Sequence, residues 1–363
     1  MKYLDEYRDP QLAKSLIEGL QHRSFSRPVI RLMEICGTHT VAIFRSGLKQ
    51  LLPPQIQLIS GPGCPVCVTA NEDIDRAIWL SGQPGVIITT FGDLMRVPGS
   101  FSSLLLERSK GADVRMVYAT LDALQIARDN PDRQVVFIGI GFETTSPTVA
   151  AAIQQASRLG VDNFSVFSAH KLLPPAMKVL LEAKEVKLDG FLCPGHVSII
   201  IGASAYEEVV KNYGVPCVIT GFEPLDILQG ISLLVDQIEE GGARVSNQYR
   251  RAVAWEGNPA ARKLIDEVFE PVDSTWRGIG VIPKSGLGFR PAWKKFDATE
   301  RFSMPRIEVR EHPGCKCGEV LRGVMTPPEC GLFRKVCTPQ DPKGPCMVSG
   351  EGTCGAYYRY HNE

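Results

Sequence analysis

From Arg31 to Gly221, short β-rich apolar runs alternate with longer stretches whose apolar positions recur three and four residues apart. The candidate strands are Arg31–Cys36, Ile56–Ser60, Gly85–Phe91, Val114–Ala119, Gln134–Gly139, Phe164–Ser168, Gly190–Cys193 and Pro216–Thr220. Helix-like segments such as Pro147–Leu159, Pro175–Ala183 and Ala203–Asn212 lie between most of them. Strands that read as unbroken apolar runs, separated by helices, predict an α/β fold of parallel sheets covered on both faces. In such sheets functional groups gather at the carboxyl ends of strands. VVFIGIGFETTSP (Val135–Pro147) and CVITGFEPLD (Cys217–Asp226) echo each other, each a strand, then Gly-Phe-Glu, then a helix start. Chance explains that echo about as well as a duplicated turn.

After Gln248 the pattern changes. One helix is predicted over Pro259–Phe269, followed by the Gly- and Pro-rich WRGIGVIPKSGLGFRP. From Gly314 on, the chain is rich in Cys, Gly and Pro with little periodicity. Such a segment buries few apolar groups, so a metal or cluster is expected to help order it.

Composition narrows the function classes. Forty basic residues balance forty acidic ones, so no global field draws the chain to nucleic acid or an anionic membrane. The opening MKYLDEYRDPQ lacks the apolar core of a signal peptide, and the longest apolar run, around Val197–Ala205, is too short to span a bilayer. A cytoplasmic protein is expected. Its eleven cysteines are the anomaly, because an odd count in a reducing compartment fits a disulfide scaffold poorly.

Six of them fall between Cys315 and Cys354. Cys330, Cys337, Cys346 and Cys354 are separated by loops broken by Pro and Gly, which let four soft thiolates converge on an iron–sulfur cluster. Zinc is the rival, but its ligands usually pair as C-x2–4-C and these spacings are wider. Cys315 and Cys317, a C-x-C, are the alternative ligands. The reading is two parallel-sheet α/β domains with flanking helices, residues 1–125 and 126–245, plus a C-terminal Cys-rich iron–sulfur domain, 246–363. Either α/β domain is free to be discontinuous.

Near the start, RLMEIC ends in Cys36-Gly37-Thr38-His39-Thr40 and a helix follows. The helix macrodipole there favours the thiolate of Cys36. His39 is a second ligand, a proton donor or a plain first-turn residue. IQLIS runs into Gly61-Pro62-Gly63-Cys64-Pro65-Val66-Cys67, a C-x-x-C suited to a redox-active dithiol more than to a zinc knuckle that lacks a second pair. His170 and His196 also stand at predicted strand ends, as does Glu143, which is either a site residue or a carboxylate at a helix N-terminus. Cys193 and Cys217 read as small buried strand residues. There is no P-loop, no G-x-S-x-G, no H-E-x-x-H and no dinucleotide fingerprint.

Together these motifs resemble the HypD family, maturation proteins for the active site of [NiFe]-hydrogenases. The matching pieces are MEICGTHT (Met33–Thr40), GPGCPVC (Gly61–Cys67), TTFGDLMRVPGS (Thr89–Ser100), IGIGFETT (Ile138–Thr145), FLCPGHVS (Phe191–Ser198) and KVCTPQDPKGPCMVSGEGTCGAYYRY (Lys335–Tyr360). Tyr118-Ala119-Thr120 departs from the Ser-Pro pair expected there and touches no candidate ligand.

The resemblance implies a complex with a small chaperone, HypC, on which iron acquires two cyanides and one carbon monoxide. The Fe(CN)2CO unit then passes to the hydrogenase large subunit, with HypE supplying cyanide equivalents. It implies two α/β domains and one [4Fe–4S] cluster. Cys36, with His39 close by, would hold the transient iron, and Cys64 and Cys67 would relay between cluster and iron. Such a chain is a redox-active metallocentre assembly protein rather than a conventional turnover enzyme. Two other classes stay open: an iron–sulfur-dependent thiol/disulfide reductase, and a metal-stabilised scaffold with no redox step.

Overall fold

A computed structural model describes residues 5–361. Its strands in chain order are β1 (Ile30–Glu34), β2 (Ile56–Ser60), β3 (Val86–Thr90), β4 (Val114–Met116), β5 (Gln134–Gly139) and β6 (Phe164–Ser168). They continue with β7 (Gly190–Pro194), β8 (Cys217–Thr220), β9 (Val245–Asn247), β10 (Phe269–Trp276) and β11 (Gly280–Phe289). Two sheets are wholly parallel, with orders β2-β1-β7-β8-β9 and β4-β3-β5-β6. The α/β class is therefore as the apolar pattern predicts.

Strand pairing crosses the boundary drawn at residue 125. The chain lays down β1 and β2, builds the whole second sheet, and returns to add β7 beside β1. Periodicity marks where strands are but not which strands pair. The boundary near Ser246 falls inside β9, a three-residue edge strand of half-buried side chains with no apolar signal.

Helix Pro259–Val268 forms as expected, but the Gly- and Pro-rich stretch after it is the antiparallel hairpin β10–β11. Pro271, Pro283 and four glycines hide the strand signal, since Pro and Gly are poor strand formers. Two of the glycines are what close the ladder. A Cβ at Gly286 would stand 2.7 Å from Ser274 Cβ, and one at Gly288 2.7 Å from Val272 Cγ1. The hairpin drives Phe269, Leu287 and Phe289 into the core of the second sheet beside Phe137 and Phe164. At about 1.5–3 kcal/mol per buried side chain, these residues tie the hairpin to that core, while its other end, at Trp276 and Ile282, packs with Cys317 and Cys346.

The cysteine-rich tail has only short helices, among them Cys317–Leu321, Pro345–Val348 and Thr353–Tyr360. It lies across the first sheet's helices: Thr353–Tyr360 packs on Gly37–Arg45, and Pro345–Val348 packs on Pro65–Val68. Phe44 and Tyr357 meet ring to ring at 4.4 Å, and Lys49 Nζ donates to the Tyr357 hydroxyl at 2.7 Å. Among the described residues no helix is long and apolar enough to cross a membrane.

Candidate metal-assembly and thiol site

Because β1 and β2 are adjacent and parallel, the turns that follow them emerge on one edge of the sheet. Cys36 leaves β1 in extended conformation and caps helix Gly37–Arg45. Gly63 lies directly on its backbone: a Cβ there would be 2.2 Å from Cys36 N and 2.4 Å from its Cα. The Gly37 N–H donates to Gly63 O at 3.0 Å. From the other side comes the tail, since a Cβ on Gly37 would be 2.4 Å from Glu351 O. The Thr38 hydroxyl donates to Glu351 Oε1 at 2.6 Å. The CGTHT turn is thus clamped between the GPGC loop and the GEGTC loop, three segments remote in the chain.

Cys36 is 7% exposed. Burial, and then the Glu351 carboxylate, push its thiol up to about 12, against the pull of the His39 and Thr38 amides. Desolvation here opposes the helix macrodipole, which favours the thiolate.

His39 turns toward the end of β8. Its Nε2 lies 2.9 Å from Gly221 O and 2.9 Å from Thr220 Oγ1. A carbonyl only accepts, so the ring proton is assigned to Nε2. Burial lowers the pKa to about 4 and keeps the ring neutral. Nδ1 is left buried, bare and without a partner. A histidine that donates one nitrogen to a backbone carbonyl and keeps the other free is in the form that ligates metals or accepts protons. Phe222 lies against His39 at 4.8 Å and against His196 at 4.1 Å.

Cys64 and Cys67 are joined as a disulfide that opens helix Pro65–Val68, and both are buried. The turn of the β10–β11 hairpin is wedged between this helix and the tail. The backbone N–H of Arg277 donates to Val68 O at 2.8 Å, and its guanidinium donates to Thr69 O at 3.0 Å and Asn71 Oδ1 at 2.9 Å. One residue on, a Cβ at Gly278 would be 2.2 Å from Gly318 Cα.

All six tail cysteines line one cavity with apolar neighbours that include Val320, Phe333 and Met347. As placed, no three His, Cys, Asp or Glu side chains among the described residues converge as for a single metal ion. The donor set is soft and its surroundings are dry, which fits an iron–sulfur cluster. Glycines make the close approaches: a Cβ on Gly344 would be 2.7 Å from Cys315 Sγ, and one on Gly352 2.2 Å from Cys346 O. Four of the six sulfurs form a chain of contacts, Cys315 with Cys317, Cys317 with Cys346 and Cys346 with Cys354. Cys317 Sγ is 2.9 Å from Cys346 Sγ. Hydrogen bonds from Cys315 and Cys346, with Arg277 nearby, pull Cys317 down, while Cys346 is pushed up beside it.

Glu143 is not drawn into the thiol site. Its Oε1 accepts from the Leu173 N–H at 3.0 Å, holding helix Leu173–Ala183 by its first residue, and Oε2 is buried without a partner. Burial raises its pKa to about 7. His170 is likewise internal, with Nδ1 3.2 Å from Ser168 Oγ. Cys193 and Cys217 are fully buried on neighbouring strands. Sequence reasoning did not single out Thr38, Glu351 or Arg277. Only the run of identical motif residues around the first two could have pointed to them.

The family model described as "HypD: Hydrogenase formation hypA family" matches residues 11–361. The hydrogenase maturation factor HypD2 of Bradyrhizobium diazoefficiens is 48% identical over 99% of this chain and 97% of its own length. HypD of Azotobacter vinelandii is 49% identical over 99% of this chain and 97% of its own. HypD of Escherichia coli is 47% identical over 100% of this chain and 99% of its own. With near-complete coverage at that identity, the chain belongs to the HypD family of hydrogenase maturation factors.

Proposed function

We propose that this protein is the platform on which iron receives two cyanides and one carbon monoxide. The iron is held between Cys36 and a thiolate of a HypC-type chaperone before the unit moves to the hydrogenase large subunit. A HypE-type protein delivers the cyanide equivalents, and the assembly works in the cytoplasm. The observation that carries this reading is the clamp on Cys36. Gly63 brings the disulfide loop against one side of the cysteine and Glu351 brings the tail against the other.

Each residue has a task in that reading. The Cys36 thiol releases its proton when iron binds, because metal ligation offsets the cost of a buried thiolate. The bare Nδ1 of His39 is the nearby base or second donor. Cys330, Cys337, Cys346 and Cys354 are the four thiolates we assign to a [4Fe–4S] cluster, with Cys315 and Cys317 the alternative ligands. When bound, the cluster would supply electrons one at a time. Two electrons and two protons open the Cys64–Cys67 disulfide to a dithiol. The packing of helix Pro345–Val348, which carries Cys346, on helix Pro65–Val68 supports that path. Glu143 holds the Leu173–Ala183 helix and has no chemical role in this scheme.

The test is infrared spectroscopy on the complex with a HypC-type chaperone, purified without oxygen. Wild type shows CN and CO bands. Cys64→Ser retains the visible absorption of the cluster and loses those bands. Normal CN and CO bands in Cys64→Ser would refute the relay.

A further inference from the structure

A carboxyl group lies buried behind the Cys36 turn and takes no part in the scheme above. Glu34 ends β1, just before Ile35 and Cys36, and is 2% exposed. Its backbone belongs to the sheet, with the Gly61 N–H donating to its carbonyl at 2.8 Å. Its side chain turns to the helix that Cys36 caps. The Thr40 hydroxyl, from the first turn of that helix, donates to the carboxyl and lies 2.7 Å from Oε1 and 2.8 Å from Oε2. The Ser60 hydroxyl, at the end of β2, and the Cys36 amide approach the same carboxyl as donors. Thr40 is buried and carries a second link. Its N–H donates to Cys36 O at 3.1 Å, and its hydroxyl stands 3.4 Å from that oxygen.

Packing alone asks for an apolar side chain at the end of a buried strand, as at Leu32 and Met33 just before. A carboxyl in that place is costly unless donors surround it. The donors here are the parts that frame Cys36: its own amide, the first turn of its helix, and the strand end from which the disulfide loop leaves. Thr40 cannot shift without moving Cys36 O, and that carbonyl cannot turn without swinging the thiol. A metal ligand takes its direction from the hydrogen bonds behind it, and losing one costs about 10–100-fold in metal affinity. We infer that Glu34, acting through Thr40, is the positioning residue that aims the Cys36 thiol at its iron. The inference rests on the assembly reading above and deepens it. Gly63 and Glu351 fix where the turn lies, and the Glu34–Thr40 link fixes which way the thiol leaves it.

The test uses Thr40→Val, which keeps the shape and loses the hydroxyl, Thr40→Ser, which keeps the hydroxyl, and Glu34→Gln. The first readout needs neither iron nor partner: alkylation of the full-length protein by iodoacetamide, followed at each cysteine by mass spectrometry. Cys36 should react at least about tenfold faster in Thr40→Val and Glu34→Gln than in wild type. Thr40→Ser should react like wild type, and the core residues Cys193 and Cys217 should stay protected throughout. The second readout is ferrous iron bound beyond that of the cluster in the complex with a HypC-type chaperone. Its affinity should fall about 10- to 100-fold in Thr40→Val and Glu34→Gln and return in Thr40→Ser. The CN and CO frequencies that survive should shift in the first two variants only. Equal alkylation of Cys36 in wild type and Thr40→Val, a rise shared by Cys193 and Cys217, or no recovery in Thr40→Ser overturns the positioning role. So does faster alkylation of Cys36 with unchanged iron affinity. A wild-type complex whose iron is all in the cluster overturns the assembly reading instead, and alkylation then decides whether Glu34 sets the thiol.

Discussion

Gly63→Ala tests the contact on which the proposed assembly site depends. The added Cβ would lie 2.2 Å from Cys36 N, 2.4 Å from Cys36 Cα and 2.4 Å from Ile35 C. All three are backbone atoms, so no side-chain rotation relieves the clash. Ordinary contact begins at 3.4 Å, so the two loops must part by roughly 3.4 − 2.2 = 1.2 Å. Overpacking of this kind costs about 1–3 kcal/mol. Parting the loops also stretches the bond from Gly37 N–H to Gly63 O, worth about 1 kcal/mol. The sum is about 2–4 kcal/mol, and the displacement falls on the spacing between Cys36 and the disulfide. Gly61→Ala is the control, because its Cβ meets Met33 Sδ at 2.7 Å and Ile35 Cγ2 at 2.9 Å, side-chain atoms that can yield. Urea unfolding of both variants beside wild type, with infrared spectra of the chaperone complexes, reads the outcome. Gly63→Ala should unfold at lower urea and lose its CN and CO bands, while Gly61→Ala shows a smaller shift and keeps them. A Gly63→Ala protein that unfolds and assembles iron like wild type would show that the clamp is not what organises Cys36.

Two further outcomes follow from the buried groups. Cys337→Ser and Cys346→Ser should each abolish the cluster absorption and lower the iron content; an intact cluster in Cys346→Ser would move the fourth ligand to Cys315 or Cys317. Glu143 has a folded pKa near 7 against an ordinary 4.5, so the folded state holds its proton more tightly. Its contribution to stability is full below about pH 4.5 and is lost as pH rises through 7, about 3 kcal/mol in all. Glu143→Gln should remove that slope from urea unfolding measured between pH 5 and 8, and parallel curves for the two proteins would show that the buried carboxyl does not titrate there.

The strands and the chemistry of this chain were legible from the sequence to unequal depth. Eight of the nine parallel strands announce themselves as short β-rich runs, most clearly where both faces are buried, as in VVFIG. Sheet membership was not legible: β1 pairs with β7 across more than 130 intervening residues, and nothing local to either strand encodes its partner. The hairpin was hidden by its own Gly286 and Gly288, which weaken strand propensity for the same reason that they let Ser274 and Val272 approach. The cysteines were found by type, because soft donors at irregular spacing have few other uses. Which sulfurs lie side by side was not, since Cys317 and Cys346 meet only through the fold of a tail without periodicity. The opposing influences on the Cys36 thiol were not legible either: a helix-end argument leaves out burial and the charge of Glu351, which comes from the far end of the chain.

Parallel topology explains why such distant motifs converge. Every strand of the first sheet runs the same way, so the turns after β1, β2, β7 and β8 all leave by one edge. That edge therefore holds Cys36, the Cys64–Cys67 disulfide, His196 and Phe222 without any of them being near in sequence. The tail then covers that edge, and Glu351 seals Cys36 from one side. Burial of this kind makes the thiol a poor nucleophile on its own. The second sheet contributes from its own side. It anchors the hairpin through Phe269 and Phe289, and the hairpin turn reaches back so that Arg277 holds the carbonyls of Val68 and Thr69. Gly278 at the same turn abuts Gly318 beside Cys317. One turn therefore sets the spacing between the disulfide helix and the tail thiols.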